Sequence, residues 1–453
     1  MGDELTLEEL SRSTGEPVER LSQWRSLGLI GAEGSEGFRP EDVEVAGLVQ
    51  LLLRRGIGLE AIAKADREQR FLGHYLELMF PEGVTPSYSL AEAAEMAGLE
   101  VGVARRFWEA VGLTEQGEMA GEEDITALRA LKSVLQAGFP EEPLIQVMRV
   151  WADALGRVAE AGQRSFHFYV HERLKASGMS AEELMAASDA ISQHAVPQAE
   201  PTLLYLYRKG VARANREDMV MHAAEDAGLV EISEVPGQLQ AAIVFVDLSS
   251  FTPLAEAMGD VKAAEVLERF SALVRQAAAH WDGRVVKQIG DAFLLVFPES
   301  RTAVACVLEI EARTAGEPQF PAARSGVHWG SVLYREGDYV GSNVNIASRV
   351  AAEAGRHQVL VTSAVRKEAK GLAEVEFVRL GKRRLKGLAE ELELFEARPV
   401  GAEEREKAVD PVCGMELGPG EAAATLTMEG EERAFCSDEC LRRFVAAPEK
   451  YSG

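Results

Sequence analysis

The chain has 453 residues, of which 48 are Lys or Arg and 73 are Asp or Glu, so its formal charge is −25. Apolar residues make up 47% and charged residues 27%, a balance that is typical of globular proteins and excludes a disordered, collagen-like or membrane-embedded chain. This length predicts two or three domains. Nonspecific binding to nucleic acid or anionic lipid needs a positive field, so the acidic charge argues against DNA as the main partner.

The first residues are acidic and lack the basic stretch and apolar core of a signal peptide. The longest apolar runs, such as residues 48–53, are far shorter than a bilayer span. We therefore expect no export and no membrane span, and a cytoplasmic protein.

The first 230 or so residues show helical apolar spacing and predict an all-α half. This half repeats itself, because LTLEELSRSTGEPVERLSQWRSLGLI from Leu5 is similar to YSLAEAAEMAGLEVGVARRFWEAVGL from Tyr88. Thr6 and Ser89 have the character of helix N-caps, and glycines follow where a tight turn would join a first helix to a second. Each repeat is therefore expected to begin with a helix-turn-helix.

The first repeat, with LTLEELSRSTG, GLI, GFRPEDV and LLLRRGI, resembles the MerR-type helix-turn-helix over about residues 5–65, and we assign residues 1–70 to it. DNA-binding members carry basic side chains on the second helix, whereas PVERLSQWRSLGL is nearly charge-balanced here. A helical packing and dimerisation module that has lost its DNA ligand is the favoured reading. A DNA-binding regulator is the alternative.

Long amphipathic helices are expected in the second part of the helical half. Residues 85–230 resemble the helical regulatory region that precedes some bacterial adenylyl cyclase domains, a region that can inhibit in an acid-sensitive way. Histidine changes charge near neutral pH, so it is the natural sensor there. His167 and His171, one helical turn apart, are the candidate pair, with ordinary core histidines as the competing interpretation. The other histidines of this half are His74, His194 and His222.

From about residue 238 the pattern changes to apolar strands that alternate with helices in the order βαββα, followed by further strands. Residues 238–398 are expected to form an α+β, ferredoxin-like domain with a mostly antiparallel sheet. The charged run from Gly401 to Asp410 is expected to be a solvated linker.

Two acids follow apolar strand runs, Asp247 after IVFV and Asp291 at the turn between VVKQIG and AFLLVF. A carboxylate at the end of a buried strand is costly unless it is paired or bound to a cation. Two such carboxylates on neighbouring strands suit Mg²⁺ carrying a polyphosphate, although a strand-end aspartate is more often a helix cap or a turn former.

FVDLSSFT, VVKQIGDAF and GDYVGSNVNIASRV together resemble the catalytic domain of class III nucleotidyl cyclases over residues 238–398. The resemblance implies that Asp247 and Asp291 bind two Mg²⁺ or Mn²⁺ ions and that Lys287 and Asp338 select the purine. Asn345 and Arg349 match the residues that hold the ribose and stabilise the reacting phosphate, and Lys386 is a loose match to a lysine on the terminal phosphates. Ser250 departs from the family, which usually has glycine there.

Hydrogen-bond polarity indicates the substrate. Adenine offers a ring-nitrogen acceptor and an amino donor, which a lysine donor and an aspartate acceptor complement, so ATP is expected. The family resemblance also implies a homodimer in which the acids of one protomer face the purine-selecting side chains of the other.

The C-terminal residues DPVCGM and EGEERAFCSDECLRRF resemble the YHS (TRASH-like) metal-binding module, which we assign to residues 409–453. Cys413, Cys436 and Cys440 provide three thiolates that suit Zn²⁺ or Cu⁺. No fourth ligand is evident, and Asp438, Glu439 or water are the candidates. Three buried cysteines without metal are the competing interpretation.

The sequence thus predicts a class III adenylyl cyclase with a helical regulator and a metal-responsive C-terminus. The competing hypothesis is a MerR-type transcription regulator whose cyclase-like domain senses a nucleotide.

Overall fold

A computed structural model describes the protein over most of the chain, and the chain forms two compact units, Met1–Val230 and Glu231–Gly453. The described residues are 5–31, 35, 37–69, 72–73, 88–113, 119–228, 233–317, 320–369, 371–388, 390–402, 408–418, 421–428 and 431–451. Among the helices of these residues, none is long and apolar enough to cross a membrane. His74, one of the histidines noted above, lies outside the described residues.

The predicted repeat is confirmed at the level of helices and caps. Thr6 and Ser89 both form capping boxes with a glutamate three residues later, and Gly15 and Gly98 both end the first helix in the left-handed conformation. The first repeat contains helices Leu7–Thr14, Val18–Ser26, Glu41–Arg54 and Leu59–Gln69. The second contains strand β1 (Tyr88–Ser89), helices Leu90–Ala97 and Val101–Ala110, strand β2 (Met119–Ala120) and helix Glu122–Gln136.

Each repeat has its own small core. Leu10, Leu21 and Trp24 are fully buried in the first, and Ala104, Ile125 and Leu128 are fully buried in the second. These residues are the apolar positions on which the helical pattern was based, so the amphipathic reading of both repeats is confirmed.

Long helices follow the second repeat, as the sequence predicts. Helix Glu141–Phe166 continues into a π-helical turn, His167–His171, and a short helix, Glu172–Ala176. Helix Ala181–Asp226 then runs for 46 residues and contains Pro197 and Pro201. Many large apolar side chains on these helices are exposed within the single chain, including Trp151, Leu155, Tyr205 and Tyr207.

The second unit contains an eight-stranded sheet. Its strands are β3 (Gln238–Leu248), β4 (Arg284–Ile289), β5 (Ala292–Phe297), β6 (Ala323–Arg335), β7 (Asp338–Val340), β8 (Val359–Thr362), β9 (Val375–Arg383) and β10 (Leu392–Pro399). Their order in the sheet is β4-β5-β3-β6-β8-β10-β9, with β7 paired to β6. All pairings are antiparallel except that of β6 with β8, which confirms the predicted mostly antiparallel sheet.

Helices cover both faces of this sheet. Alternate residues of β3 are therefore buried on opposite sides of it. Val244 and Val246 belong to the larger core, with Phe270 and Val307 from two of the helices. Ile243 belongs to the smaller core on the other face. The helices are Phe251–Met258, Asp260–His280, Ser300–Gly316, Ser342–Glu353 and Ser363–Glu368.

The C-terminal residues form a small module of strands and one helix. It contains β11 (Ala408–Val409), β12 (Glu416–Leu417), β13 (Ala424–Met428), β14 (Glu431–Phe435), helix Asp438–Ala446 and a 3₁₀ turn, Pro448–Lys450. Phe435 and Phe444 belong to the same hydrophobic core as Leu254, which lies in the domain of the eight-stranded sheet. The module is therefore packed onto that domain and not merely tethered to it.

The expectation of a solvated linker up to Asp410 is wrong at its end. Asp410 is fully buried, and Ala408–Val409 is paired with Glu416–Leu417. The charge pattern misled because Asp410 is fixed by hydrogen bonds from backbone amides, which compensate the burial of a carboxylate. Residues 403–407 lie outside the described part of the chain.

Candidate active site

Asp247 and Asp291 lie at the same end of neighbouring strands. Val246 of β3 is paired with Phe293 of β5. Asp247 directly follows Val246, and Asp291 lies two residues before Phe293, so both acids lie at the same end of this strand pair. A glycine in the left-handed conformation, Gly290 with φ +65°, makes the turn that presents Asp291. The structure thus brings the two predicted metal-binding acids together.

The pKa of Asp291 is raised above its ordinary value. Burial is the largest cause, and the nearby carboxylate of Asp247 also raises this pKa, against hydrogen bonds from the backbone. A divalent cation would relieve both the burial of charge and the repulsion between two carboxylates. Oxygen donors of this kind fit Mg²⁺ or Mn²⁺, so the residues present suit the ions that the sequence implies.

Arg324 is a member of this site that sequence reasoning missed. It lies directly opposite Asp247 in the pairing of β3 with β6. Its Nε and Nη2 donate hydrogen bonds of 2.6 Å and 3.0 Å to the two oxygens of the Asp247 carboxylate. The bond to Asp247 is also the main cause of the raised pKa of Arg324. A basic residue 77 positions along the chain from a strand-end acid is a weak signal until the strand register is known.

Lys287 and Asp338 form an ion pair, although 51 residues separate them in the chain. Lys287 lies on β4 and Asp338 begins β7, so the sheet brings the two proposed purine-selecting side chains to one surface. Both side chains are partly exposed, with 43% and 34% of their surface accessible. A donor and an acceptor of opposite charge are therefore available side by side.

Asn345 and Arg349 lie one turn apart on helix Ser342–Glu353, and both side chains are exposed. The helix begins after Gly341, which has φ +136°. Lys386 is exposed in the turn that follows β9, next to the buried Leu385.

The three cysteines come together in the C-terminal module. The Sγ atoms of Cys413 and Cys436 are 3.4 Å apart, and those of Cys436 and Cys440 are 3.7 Å apart. Thiolates bound tetrahedrally to Zn²⁺ at about 2.3 Å lie about 3.8 Å from one another, so this arrangement fits a metal site.

Asp410 supplies the fourth candidate ligand that the sequence left open. Its carboxylate and the three Sγ atoms offer ligand atoms that all lie within 4.8 Å of one another. Its oxygens accept hydrogen bonds from the backbone amides of Val412 and Cys436, which fixes both cysteine-bearing segments around it. The signal was present in the sequence, because Asp410 opens the DPVCGM motif. Glu439, one earlier candidate, instead pairs with Arg443.

The cysteine site favours one thiolate at Cys440. Hydrogen bonds from the thiols of Cys413 and Cys436 lower the pKa of Cys440 to about 2. The same contacts raise the pKa of Cys413, with burial as a further cause. Cys440 also lies in the first turn of helix Asp438–Ala446, where the positive end of the helix favours a thiolate. A thiolate already formed is ready to bind a soft or borderline cation.

Three family models match this chain. Residues 235–396 match the adenylate and guanylate cyclase catalytic domain, residues 33–209 match the adenylate cyclase regulatory domain, and residues 408–453 match the YHS domain. The catalytic match covers the whole eight-stranded sheet apart from the end of β10.

Proteins of known name are similar over much of the chain. An adenylate cyclase of Streptomyces coelicolor is 30% identical over 289 residues, which are 63% of this chain and 72% of the relative. One from Streptomyces griseus is also 30% identical, over 63% of this chain and 69% of the relative. A pH-sensitive adenylate cyclase of Mycobacterium tuberculosis is 27% identical over 78% of this chain and 88% of the relative.

The solved structures that match part of this chain include an adenylate cyclase from Trypanosoma brucei, 20% identical over 37% of this chain and 91% of that one, with a TM-score of 0.33.

The sheet, the paired acids and the catalytic-domain match define a class III nucleotidyl cyclase. The chain belongs to the adenylate cyclase family, and it is an enzyme of that class with a catalytic domain, a regulatory region and a YHS region.

Proposed function

We propose that the chain converts ATP to 3′,5′-cyclic AMP and pyrophosphate in a homodimer with two divalent ions at each site. The observation that carries this proposal is the juxtaposition of Asp247 and Asp291 at the ends of β3 and β5. When bound, two ions supply positive charge to the attacking ribose oxygen and to the leaving pyrophosphate. Asp247 and Asp291 hold them there, and no further protein base is required.

The base is read by Lys287 and Asp338. Lys287 donates a hydrogen bond to the adenine ring nitrogen, and Asp338 accepts one from the exocyclic amino group. The ion pair between them holds both side chains at one surface before the base arrives. Guanine offers the opposite polarity at these positions, and unmatched buried polar groups discriminate strongly.

The remaining two residues act on the sugar and the phosphate. Asn345 orients the ribose, and Arg349 places guanidinium donors against the negative charge that grows in the transition state. A single donor of this kind commonly contributes about 3 kcal/mol. Lys386 is assigned to the terminal phosphates.

We propose a dimer to complete the site, because Asn345 and Arg349 are exposed, whereas Asp247 and Asp291 are partly buried at the ends of their strands. Two described cavities, of about 420 Å³ beside Glu16 and about 390 Å³ beside Tyr451, do not touch the acids. The acids of one protomer would face Lys287, Asp338, Asn345 and Arg349 of its partner across the dimer interface.

The helical half regulates this activity, and acid is the proposed stimulus. The rings of His167 and His171 stack with centroids 5.5 Å apart in the π-helical turn. Charged neighbours are Glu172, 3.7 Å from His167, and Lys175, which contacts Glu172; from the next long helix, Ser188 contacts His171. Protonation of both rings places two like charges close together and favours opening of the turn.

The test of acid regulation uses the full chain with both histidines replaced by Gln. The parent is expected to gain activity as pH falls from about 8 to 6, the range in which histidine titrates. The double variant should lose that gain while it keeps activity at the higher pH. An unchanged pH profile in the variant contradicts this role.

The test of the catalytic proposal is direct. Purified protein is incubated with ATP and Mg²⁺ or Mn²⁺, and cyclic AMP is measured, with Asp247→Ala as the inactive variant. Product from the parent and none from the variant supports the proposal. Absence of product from the parent under all conditions, together with specific operator binding, supports the alternative of a MerR-type transcription regulator.

A further inference from the structure

The turn that carries Cys413 packs against the loop that follows Asp247. This loop, Leu248–Phe251, is called the acid loop below. Gly414 has φ +71°, and a Cβ atom built on it would lie 2.5 Å from the Cβ of Ser250. Only glycine fits this contact, so the backbone next to one candidate metal ligand touches the loop next to another.

Arg356 joins the two segments with one guanidinium. Its Nη1 donates a hydrogen bond of 2.6 Å to the carbonyl oxygen of Gly414, and its Nη2 donates one of 2.7 Å to the hydroxyl of Ser250. Because a guanidinium is planar and rigid, displacement of the Gly414 carbonyl changes the direction in which the group meets Ser250.

The hydrogen bond of Ser250 with Arg356 gives a physical reason why this chain has serine where the family usually has glycine. It adopts φ +63° and ψ +29°, a left-handed conformation that is unfavourable for a residue with a side chain. Such a conformation persists only where the surroundings hold it. The hydroxyl that glycine lacks is the group that Arg356 binds, so Ser250 connects the acid loop to the C-terminal module.

A second contact holds the other half of the cysteine site. Arg443 lies on the helix that carries Cys440, and its Nη1 donates a hydrogen bond of 2.6 Å to the carbonyl oxygen of Glu256. Ser250 directly precedes helix Phe251–Met258, and Glu256 lies near the other end of that helix. Both cysteine-bearing segments therefore contact the element that follows Asp247.

We propose that Arg356 and Ser250 are positioning residues through which a cation at the cysteine site sets the acid loop. A bound cation fixes Cys413 beside Cys436 and Cys440, and the adjoining Gly414 carbonyl then holds Arg356 on Ser250. The inference rests on the proposed metal sites of both the cysteines and the acids. Because coupling is reciprocal, metal–nucleotide at Asp247 and Asp291 strengthens cation binding at the cysteines.

The experiment compares zinc-free full-length protein with the same protein given one equivalent of Zn²⁺, in excess Mg²⁺. Zinc content, hydrogen exchange of residues 248–258 and 410–417, and KM and kcat for ATP are measured. The variants are Arg356→Gln and Ser250→Gly, which break the connection, and Cys436→Ser, which removes a ligand. Arg442→Gln is the matched control, because this arginine pairs with Glu439 inside the module.

Zn²⁺ is expected to slow exchange in both segments of the parent and of Arg442→Gln, and to lower the KM for ATP about fivefold, within the usual range of coupling between sites. Arg356→Gln and Ser250→Gly should bind one Zn²⁺ but slow exchange only over 410–417. Arg356→Lys should restore part of the response, since it keeps one donor.

Two outcomes overturn the inference. One is that Zn²⁺ binds and leaves residues 248–258 unchanged, and the other is that these residues respond equally without Arg356. Failure of the parent to bind Zn²⁺ contradicts the cysteine metal site itself. Exchange and zinc content need no turnover, so a protein that responds to Zn²⁺ but forms no cyclic AMP contradicts the catalytic proposal alone.

Discussion

The guanidinium of Arg324 donates hydrogen bonds of 2.6 Å and 3.0 Å to the two oxygens of Asp247, so one of the two acids proposed to bind cations is paired with an arginine of its own chain. Arg324 also lies close enough to Asp291 to oppose the rise in the pKa of that acid. Divalent ions at the proposed site would bind beside this fixed positive charge, which would lower their affinity and which offsets part of the repulsion between the two carboxylates.

Replacement of Arg324 by Gln is expected to tighten Mn²⁺ binding and to destabilise the ion-free protein. Loss of the positive charge should lower the half-saturating Mn²⁺ concentration at least threefold. This corresponds to a binding free energy of about 0.7 kcal/mol, as expected for a partly exposed site. Isothermal titration without nucleotide measures the binding, and thermal unfolding measures the stability. Arg379→Gln is the control, because its pair with Glu393 is exposed and away from the acids. Weaker Mn²⁺ binding in Arg324→Gln would show that Arg324 orients Asp247 for the ion instead of competing with it.

The sequence predicted the elements of the catalytic domain well because its strands and helices have clear periods. The turn at Gly290 and the apolar strands beside Asp247 and Asp291 are confirmed. Strand β9, Val375–Arg383, is harder to predict, because it is an edge strand with no fully buried residue. Exposed edge strands lack the alternation on which such predictions depend.

What the sequence could not supply was pairing between distant segments. The cyclase motifs identified Asp247 and Lys287 by local spacing, but Arg324 acts through a contact with a residue 77 positions away. Likewise, Ser250 was recognised as a departure, whereas its partner Arg356 is 106 residues away. Such contacts depend on strand register and on the packing of the C-terminal module. The spacing of residues along the sequence determines neither of these.

Base preference is expected to depend on the Lys287–Asp338 pair. A Lys287→Glu, Asp338→Ser double variant presents an acceptor to the guanine N1–H and a hydroxyl donor to its O6. ATP turnover should fall about 100-fold, since each mismatched hydrogen bond costs about 1–3 kcal/mol, and GTP should become the better substrate. Initial rates with each nucleotide and Mn²⁺ measure the ratio of kcat/KM. Lys382→Glu, an exposed change on β9, controls for altered surface charge. An unaltered ratio in the double variant would remove these two residues from base selection.

A homodimer with two composite sites predicts complementation between inactive variants. Asp247→Ala lacks an ion ligand and Arg349→Ala lacks the phosphate donor, so each homodimer should be nearly inactive. In an equal mixture that exchanges subunits, about half of the dimers are mixed, and each has one intact site of two. Activity should therefore recover to about a quarter of the parent.

The control for complementation is a mixture of Asp247→Ala with Asp291→Ala. Both variants change the acids and leave Arg349 intact. Each composite site in their mixed dimers therefore lacks one carboxylate, either that of Asp247 or that of Asp291. One fully repaired site could form only if the acids of different chains met. Recovery in this control would contradict the placement of Asp247 and Asp291 in one protomer, and absence of recovery in the first mixture would contradict the assignment of Asp247 and Arg349 to opposite protomers.

Attachment of the C-terminal module is expected to weaken at high pH because of His357. Burial opposes its charge, but hydrogen bonds with Glu311 and Glu416 outweigh burial and raise its pKa to about 9. Glu311 lies on helix Ser300–Gly316 and Glu416 on β12, so charged His357 joins the module to the catalytic unit. Since the pKa in the folded protein exceeds the unfolded value, this stabilisation is complete below about pH 6.5 and is lost as pH rises through 9.

The measurement is thermal unfolding of the parent and of His357→Gln from pH 6 to 9.5 in one buffer series. The difference in stability between the two proteins should shrink by on the order of 3 kcal/mol over this range, with most of the change between pH 7 and 9. Comparison at each pH cancels the titration of the cysteines, which both proteins share. His280→Gln is the control, because its pair with Glu309 is exposed and does not involve the module. A difference that stays constant with pH would mean that a charged His357 does not hold the module to the rest of the unit.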